Sequence, residues 1–91
     1  MNKDIEKSIY YHKIAANLNH IESVYYLGVI HFQNEEYGDA IKYFEIASNQ
    51  NHIQSIHNLG ILYYKEFKGI TQNKELALKY FEKEIELKKK K

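Results

Sequence analysis

The chain repeats itself, and that one property limits its fold to stacked copies of a small unit. Shifted by 32 residues, Ile9, Tyr11, Ile14, Ala15, Asn17, Asn19, His20, Ile21, Ser23, Leu27 and Gly28 recur as Ile41, Tyr43, Ile46, Ala47, Asn49, Asn51, His52, Ile53, Ser55, Leu59 and Gly60. That makes 11 identities in the 20 positions from 9 to 28, too many for compositional bias. A second shift, of 37, aligns Ala40, Lys42, Tyr43, Phe44 and Glu45 with Ala77, Lys79, Tyr80, Phe81 and Glu82. The five extra residues fall in KEFKGITQN, residues 65–73, which reads as a loop.

Within each unit the apolar spacing is helical. Residues 4–18 put Ile5, Ile9, Ile14 and Leu18 near one face, and 37–49 space Ala40, Tyr43, Phe44 and Ala47 by threes and fours. The pattern predicts an all-α fold of five antiparallel helices, at 4–18, 21–33, 37–49, 53–66 and 74–88. The first, third and fifth share one sequence type (B), the second and fourth another (A), giving the order B-A-B-A-B. With Pro absent and Gly present only 4 times, the composition agrees with helices and short interruptions. Residues 1–91 are read as a single domain.

The punctuation fits these boundaries. Asn19 and Asn51 stand where B helices end, and Asn tolerates the left-handed conformation that terminates a helix. Asp39, or Asn34-Glu35-Glu36, supplies acceptors and negative charge for the third helix, and Thr71 and Asn73 do so for the fifth. Gly28 and Gly60 lie in mid-helix, where glycine costs roughly 1 kcal/mol against alanine. Their recurrence predicts a close-packed aromatic on the neighbouring helix, with Tyr43, Phe44, Tyr80 and Phe81 as candidates.

Leu27-Gly28, Asn58-Leu59-Gly60-Ile61-Leu62-Tyr63-Tyr64, Gly69-Ile70-Thr71-Gln72-Asn73 and Ala77-Leu78-Lys79-Tyr80-Phe81-Glu82-Lys83 together resemble Sel1-like repeats, a branch of the tetratricopeptide α-solenoids. The junction at 49–55 is similar to the Sel1-type turn, with Asn51 where Gly is common. The loop placing Tyr37 and Ala40 after Gly28 is closer to tetratricopeptide spacing. The resemblance implies an α-solenoid of about two and a half helix-turn-helix repeats that holds partners and catalyses nothing. Glu84 departs from it, standing where the other B helices have Ala15 and Ala47. Under another A helix that carboxylate is expected to be buried and unpaired, so 74–91 reads as a C-terminal cap. The opening B helix, with Ile5, Ile9 and Ile14, reads as uncapped.

Charge narrows the function. The net charge is +1, but four of the 13 lysines are Lys88 to Lys91, and the rest of the chain sets 9 Lys against 12 acids. With no Arg, that is not a nucleic-acid surface, and nucleic acid is not expected as a partner. The lysine tail is read as solubility and favourable charge at a helix end. No apolar run reaches the length of a membrane span, and no signal-peptide core is visible, so a cytoplasmic location is expected. The absence of Cys excludes disulfides, thiolate metal sites and cysteine nucleophiles. The five His show no metal-binding spacing, and neither a nucleotide loop nor a G-x-S-x-G context occurs. Catalytic residues, metal ligands and cofactors are therefore all expected to be none.

What remains is surface for a partner. By resemblance to the tetratricopeptide groove, the A helices line the concave side, which presents Glu22, Tyr25, Val29, Phe32 and Gln33, then Gln54, His57, Ile61, Tyr64 and Lys65. Apolar anchors among hydrogen-bonding groups suit a peptide or helix. The expected function is a protein-interaction module or adaptor, its binding residues Glu22, Tyr25, Val29, Phe32, Gln54, His57, Ile61 and Tyr64. The alternative is a structural, self-associating unit, a homo-oligomer stacking through its N-terminal helix.

Overall fold

The computed structural model describes residues 20–90. Over this span the chain is helical: α1 covers Ile21–Gln33, α2 Tyr37–Ser48, α3 Ile53–Tyr64 and α4 Lys74–Lys89. These are the second to fifth helices expected from the repeat. The expected first helix at 4–18, the Asn19 terminator and the stacking face of Ile5, Ile9 and Ile14 lie outside the described residues. The α1 and α2 helices pack as one pair, α3 and α4 as another, and α2 joins the pairs through α3.

The core follows the helical spacing. Val24 and Leu27 of α1, Ala40, Phe44 and Ala47 of α2, and Ile56, Leu59 and Leu62 of α3 are all buried. Each large aliphatic among them contributes about 1.5–3 kcal/mol through loss of water contact. Glycine lets one large side chain cross each pair. A Cβ on Gly28 would lie 2.5 Å from Cε1 of Phe44, and one on Gly60 would lie 2.5 Å from Cε1 of Phe81. Both glycines are therefore kept free for a phenylalanine ring, as their recurrence predicted.

Three junctions set the register. After α1, Glu35 takes a left-handed φ of 61°, and the Glu36 N–H donates to the His31 carbonyl at 2.8 Å. Asn34, the residue better suited to positive φ, sits one place too early as the C-cap. Glu36 is the N-cap of α2, yet no side chain caps the helix start. The expected cap from Asp39 or 34–36 is thus corrected to charge alone, with Asp39 in the first turn. After α2, Asn51 adopts φ 60° as expected, and His52 donates its backbone N–H to Ala47 O at 3.2 Å. The His52 Nδ1 then caps α3 by accepting from the Ser55 N–H at 3.3 Å.

The third junction corrects a boundary. The sequence extends the fourth predicted helix to 66, but α3 stops at Tyr64 and Lys65 is extended. Ending there frees the chain to bring Phe67 onto Phe32 and Tyr37, at ring separations of 5.6 and 4.9 Å. Left-handed Gly69, φ 82°, lets Phe67 and Ile70 bridge. Asn73 ends the loop by donating to Tyr63 O at 2.8 Å and capping the Leu76 N–H at 3.1 Å. The inserted loop is therefore folded back on the first helix pair. Among the described residues, no helix is long and apolar enough to cross a membrane.

Candidate partner-binding groove

Two stripes of side chains face each other across α1 and α3. Tyr25, Val29 and Phe32 follow one another at four and three residues on α1; Gln54, Asn58 and Ile61 have the same spacing on α3, shifted three residues from the repeat equivalents of the first set. Between these stripes lies a hollow of ≈ 400 Å³, lined by Tyr25, Val29, Phe32, Gln33, Phe44, Asn58 and Ile61. A second hollow of ≈ 520 Å³ adjoins it toward the end of α4, lined by Tyr25, Ile53, Gln54, His57, Asn58, Glu84 and Lys88. Tyr25 and Asn58 belong to both linings, so the two make one continuous groove.

The walls of the apolar part are braced from behind. Tyr25 lies 6.0 Å from Phe44 and 4.8 Å from the His52 ring. Phe32 meets Tyr37 and Phe67 edge to face. Such ring contacts add to area burial and hold each aromatic in one orientation. Because His52 Nδ1 accepts from Ser55, its proton resides on Nε2, which donates to Glu22 Oε1 at 3.0 Å. That contact ties the start of α3 to α1.

The polar part is organised by Glu84. The sequence marks Glu84 only as a departure from Ala15 and Ala47, and the structure gives the carboxylate two partners. His57 Nδ1 donates to Glu84 Oε1 at 2.9 Å, and Lys88 Nζ reaches Oε2 at 2.9 Å. The Glu84 side chain is only 12% exposed. Burial acts to raise its carboxyl, but the hydrogen bonds and charges of Lys88 and His57 outweigh it and hold the group below its ordinary value. The carboxylate thus stays ionised and holds the His57 ring and the Lys88 ammonium at the groove wall.

Of the eight residues expected to bind a partner, the structure brings Tyr25, Val29, Phe32 and Ile61 into the apolar hollow and Tyr25, Gln54 and His57 into the polar one. Glu22 lines neither hollow and engages His52 instead. Tyr64 is exposed at the edge, 6.3 Å from the Phe81 ring and below the Lys74 ammonium. Asn58 and the Glu84–Lys88 pair were missed. Asn58 was within reach of the spacing argument, lying four residues after Gln54 and three before Ile61. Nothing local in the sequence marks Lys88, because its place depends on how α4 crosses α3.

Two clusters lie away from the groove. His31, Glu36 and Asp39 bring ligand-capable atoms within 4.8 Å of one another at the α1–α2 turn. Within that cluster His31 Nδ1 donates to Glu36 Oε1 at 3.0 Å and its ring stacks on Tyr43. Reading His spacing alone overlooked the two carboxylates. Elsewhere, Tyr63 and Tyr80 stack at 6.1 Å, with both hydroxyls pushed up by burial and by the nearby Glu45 charge.

Comparison with known proteins agrees with this geometry. The Sel1 repeat profile matches residues 1–20, 21–52 and 53–86, three successive units over almost the whole chain. No curated protein and no solved structure matches it.

Proposed function

This chain belongs to the Sel1 repeat family, whose repeats commonly serve as protein–protein interaction modules, and we propose that it holds a peptide segment of a protein partner in the groove between α1 and α3. One observation carries this reading. Apolar residues of both helices, Val29, Phe32 and Ile61, converge on a hollow large enough for a bulky side chain, with Asn58 and Gln33 at its rim. A hollow of this kind anchors one side chain by burial while amides hold the backbone beside it. Among the described residues the groove spans two repeats, which suits a short partner segment and modest affinity. Among the described residues that line it, none pairs a nucleophile with a base, and the reading is of binding without chemistry.

Selection of a random dodecapeptide display library on the protein tests this. The expected outcome is enrichment of clones with a large apolar residue, all lost on Val29→Ser/Ile61→Ser. Circular dichroism establishes that the variant keeps its helices. Enriched clones that bind both proteins equally, or no enrichment at all, would overturn the groove as the recognition site.

A further inference from the structure

One side chain in the groove has hydrogen-bonding capacity that the fold leaves unused. Asn58 sits on α3 between the two hollows, lines both and is partly buried. Among the described residues its amide has no hydrogen-bond partner. Gln72 and Asn73, by contrast, spend theirs on the Tyr64 carbonyl and the Leu76 N–H. The charges that line the polar hollow are spent as well, because Glu84 accepts from His57 and from Lys88 at 2.9 Å each. Glu22 lies outside both linings. The groove therefore offers an unpaired amide beside an apolar hollow, and no unpaired charge along its lining.

We propose that the groove selects an uncharged segment in extended conformation, the Asn58 amide pairing with the backbone N–H and C=O of one of its residues. This rests on the groove reading above and makes Asn58 the residue that sets the conformation of the ligand. In an extended chain the N–H and C=O of one residue point to the same side, as when two strands exchange both bonds across a ladder. A carboxamide carries a donor and an acceptor side by side and meets both at once. A helix has no such pair to give, because its interior N–H and C=O groups are bonded to each other along the axis. Covering Asn58 with a segment that leaves it unpaired costs affinity, which turns the groove against helices. A charged side chain is disfavoured in the same way, since it loses water and finds no free counter-charge in the lining. Spacing fixes the register. Asn58 and Ile61 are three residues apart on α3, about 4.5 Å at 1.5 Å per residue. An extended segment covers that in one or two residues at about 3.3 Å each, so the paired residue stands one or two positions from the apolar anchor.

The selected dodecapeptides, made synthetically, test this through their backbone. N-methylation at successive positions removes one N–H at a time. A single methyl one or two positions from the anchor is expected to weaken binding to wild type about 10-fold, the size that loss of a paired backbone group allows. Asn58→Leu, similar in size and checked for helix content by circular dichroism, is expected to bind the unmethylated peptide about 10-fold less well. Methylation should then cost it nothing further, a coupling that a double-mutant cycle measures. Wild-type clones are expected to lack Pro at the paired position and to enrich neither acid nor base beside the anchor. Three outcomes overturn the inference: apolar residues at helical spacing, a methylation loss that persists in Asn58→Leu, or an enriched charge beside the anchor. If such clones are still lost on Val29→Ser/Ile61→Ser, the groove reading stands without it. Clones indifferent to Val29→Ser/Ile61→Ser sink both.

Discussion

The α1–α2 and α3–α4 pairs are built on one register yet differ where that register meets the groove. Both keep a mid-helix glycine under a phenylalanine, Gly28 under Phe44 and Gly60 under Phe81. Both bury an alanine at the same place in the B helix, Ala40 and Ala77. Where the first pair has Tyr25 and Ala47, however, the second has His57 and Glu84, which hydrogen-bond to each other. Where α2 buries Ile41 and Ser48 against its neighbours, α4 has Leu78 and Ile85, each 54% exposed. The shared positions are those at which two helices of one pair touch. The differing ones face the groove or the side of α4 that no described helix covers. Packing within a pair is thus repeated, and surface chemistry is varied over it.

The comparison breaks most severely at the phenylalanines. Phe44 is 1% exposed, whereas Phe81 is partly open. Truncating a buried Phe to Ala typically costs 3–5 kcal/mol. Phe44→Ala is expected to lower stability by about 4 kcal/mol and Phe81→Ala by less, about 3 kcal/mol. Urea unfolding of the two variants checks the order, and equal losses would mean that the outer pair is as well packed as the inner one.

The glycines give the next largest effect. With only 2.5 Å to the ring at either position, Gly28→Val and Gly60→Val are each expected to cost about 3 kcal/mol, at the upper end of overpacking penalties. Phe44→Leu should partly rescue Gly28→Val but not Gly60→Val, and Phe81→Leu the reverse. A double-mutant cycle measures that pairing directly. Rescue across the pairs would show that the two contacts are not independent.

These pairings were legible in the sequence because they are repeated: a feature that recurs at a fixed offset announces its partner at the same offset. The helix order, the Asn51 turn and the aromatic-over-glycine contacts were all readable this way. In the doublets Tyr25-Tyr26 and Tyr63-Tyr64, neighbours on a helix point about 100° apart, and Tyr26 and Tyr64 are exposed while Tyr25 and Tyr63 pack against the core. What escaped was the non-repeated part. The end of α3 depends on Phe67 finding Phe32 and Tyr37, three residues from three different segments. The Glu84 pairing depends on α4 crossing α3 at His57, which no local pattern states. Tyr64 was placed in the groove by analogy with Phe32, its counterpart, but the loop that leaves α3 covers Phe32 with Phe67 and leaves Tyr64 at the rim.

The smallest predicted effect sharpens the comparison at its point of greatest difference. Glu84→Gln keeps the size of the side chain and removes the charge shared by His57 and Lys88. Two contacts to a largely covered carboxylate, one of them to an exposed lysine, should together be worth about 1 kcal/mol. The sign of the pH dependence follows from the lowered carboxyl. A group held below its unfolded value near 4.5 adds stability above that value, and the contribution is lost as pH falls through the folded one. Wild type should therefore exceed Glu84→Gln by a constant margin near neutrality, and the margin should close below about pH 4.5. Ala47→Gln at the matching position of the first pair behaves otherwise: the site is fully buried, with no room for the added atoms, so its loss is larger and does not change with pH. Thermal unfolding of the three proteins from pH 7 to pH 3.5 distinguishes a charge held in place at the second site from simple tolerance of a polar residue there. A Glu84→Gln margin unchanged through acid pH would refute the charged clasp and leave only a packing role for Glu84.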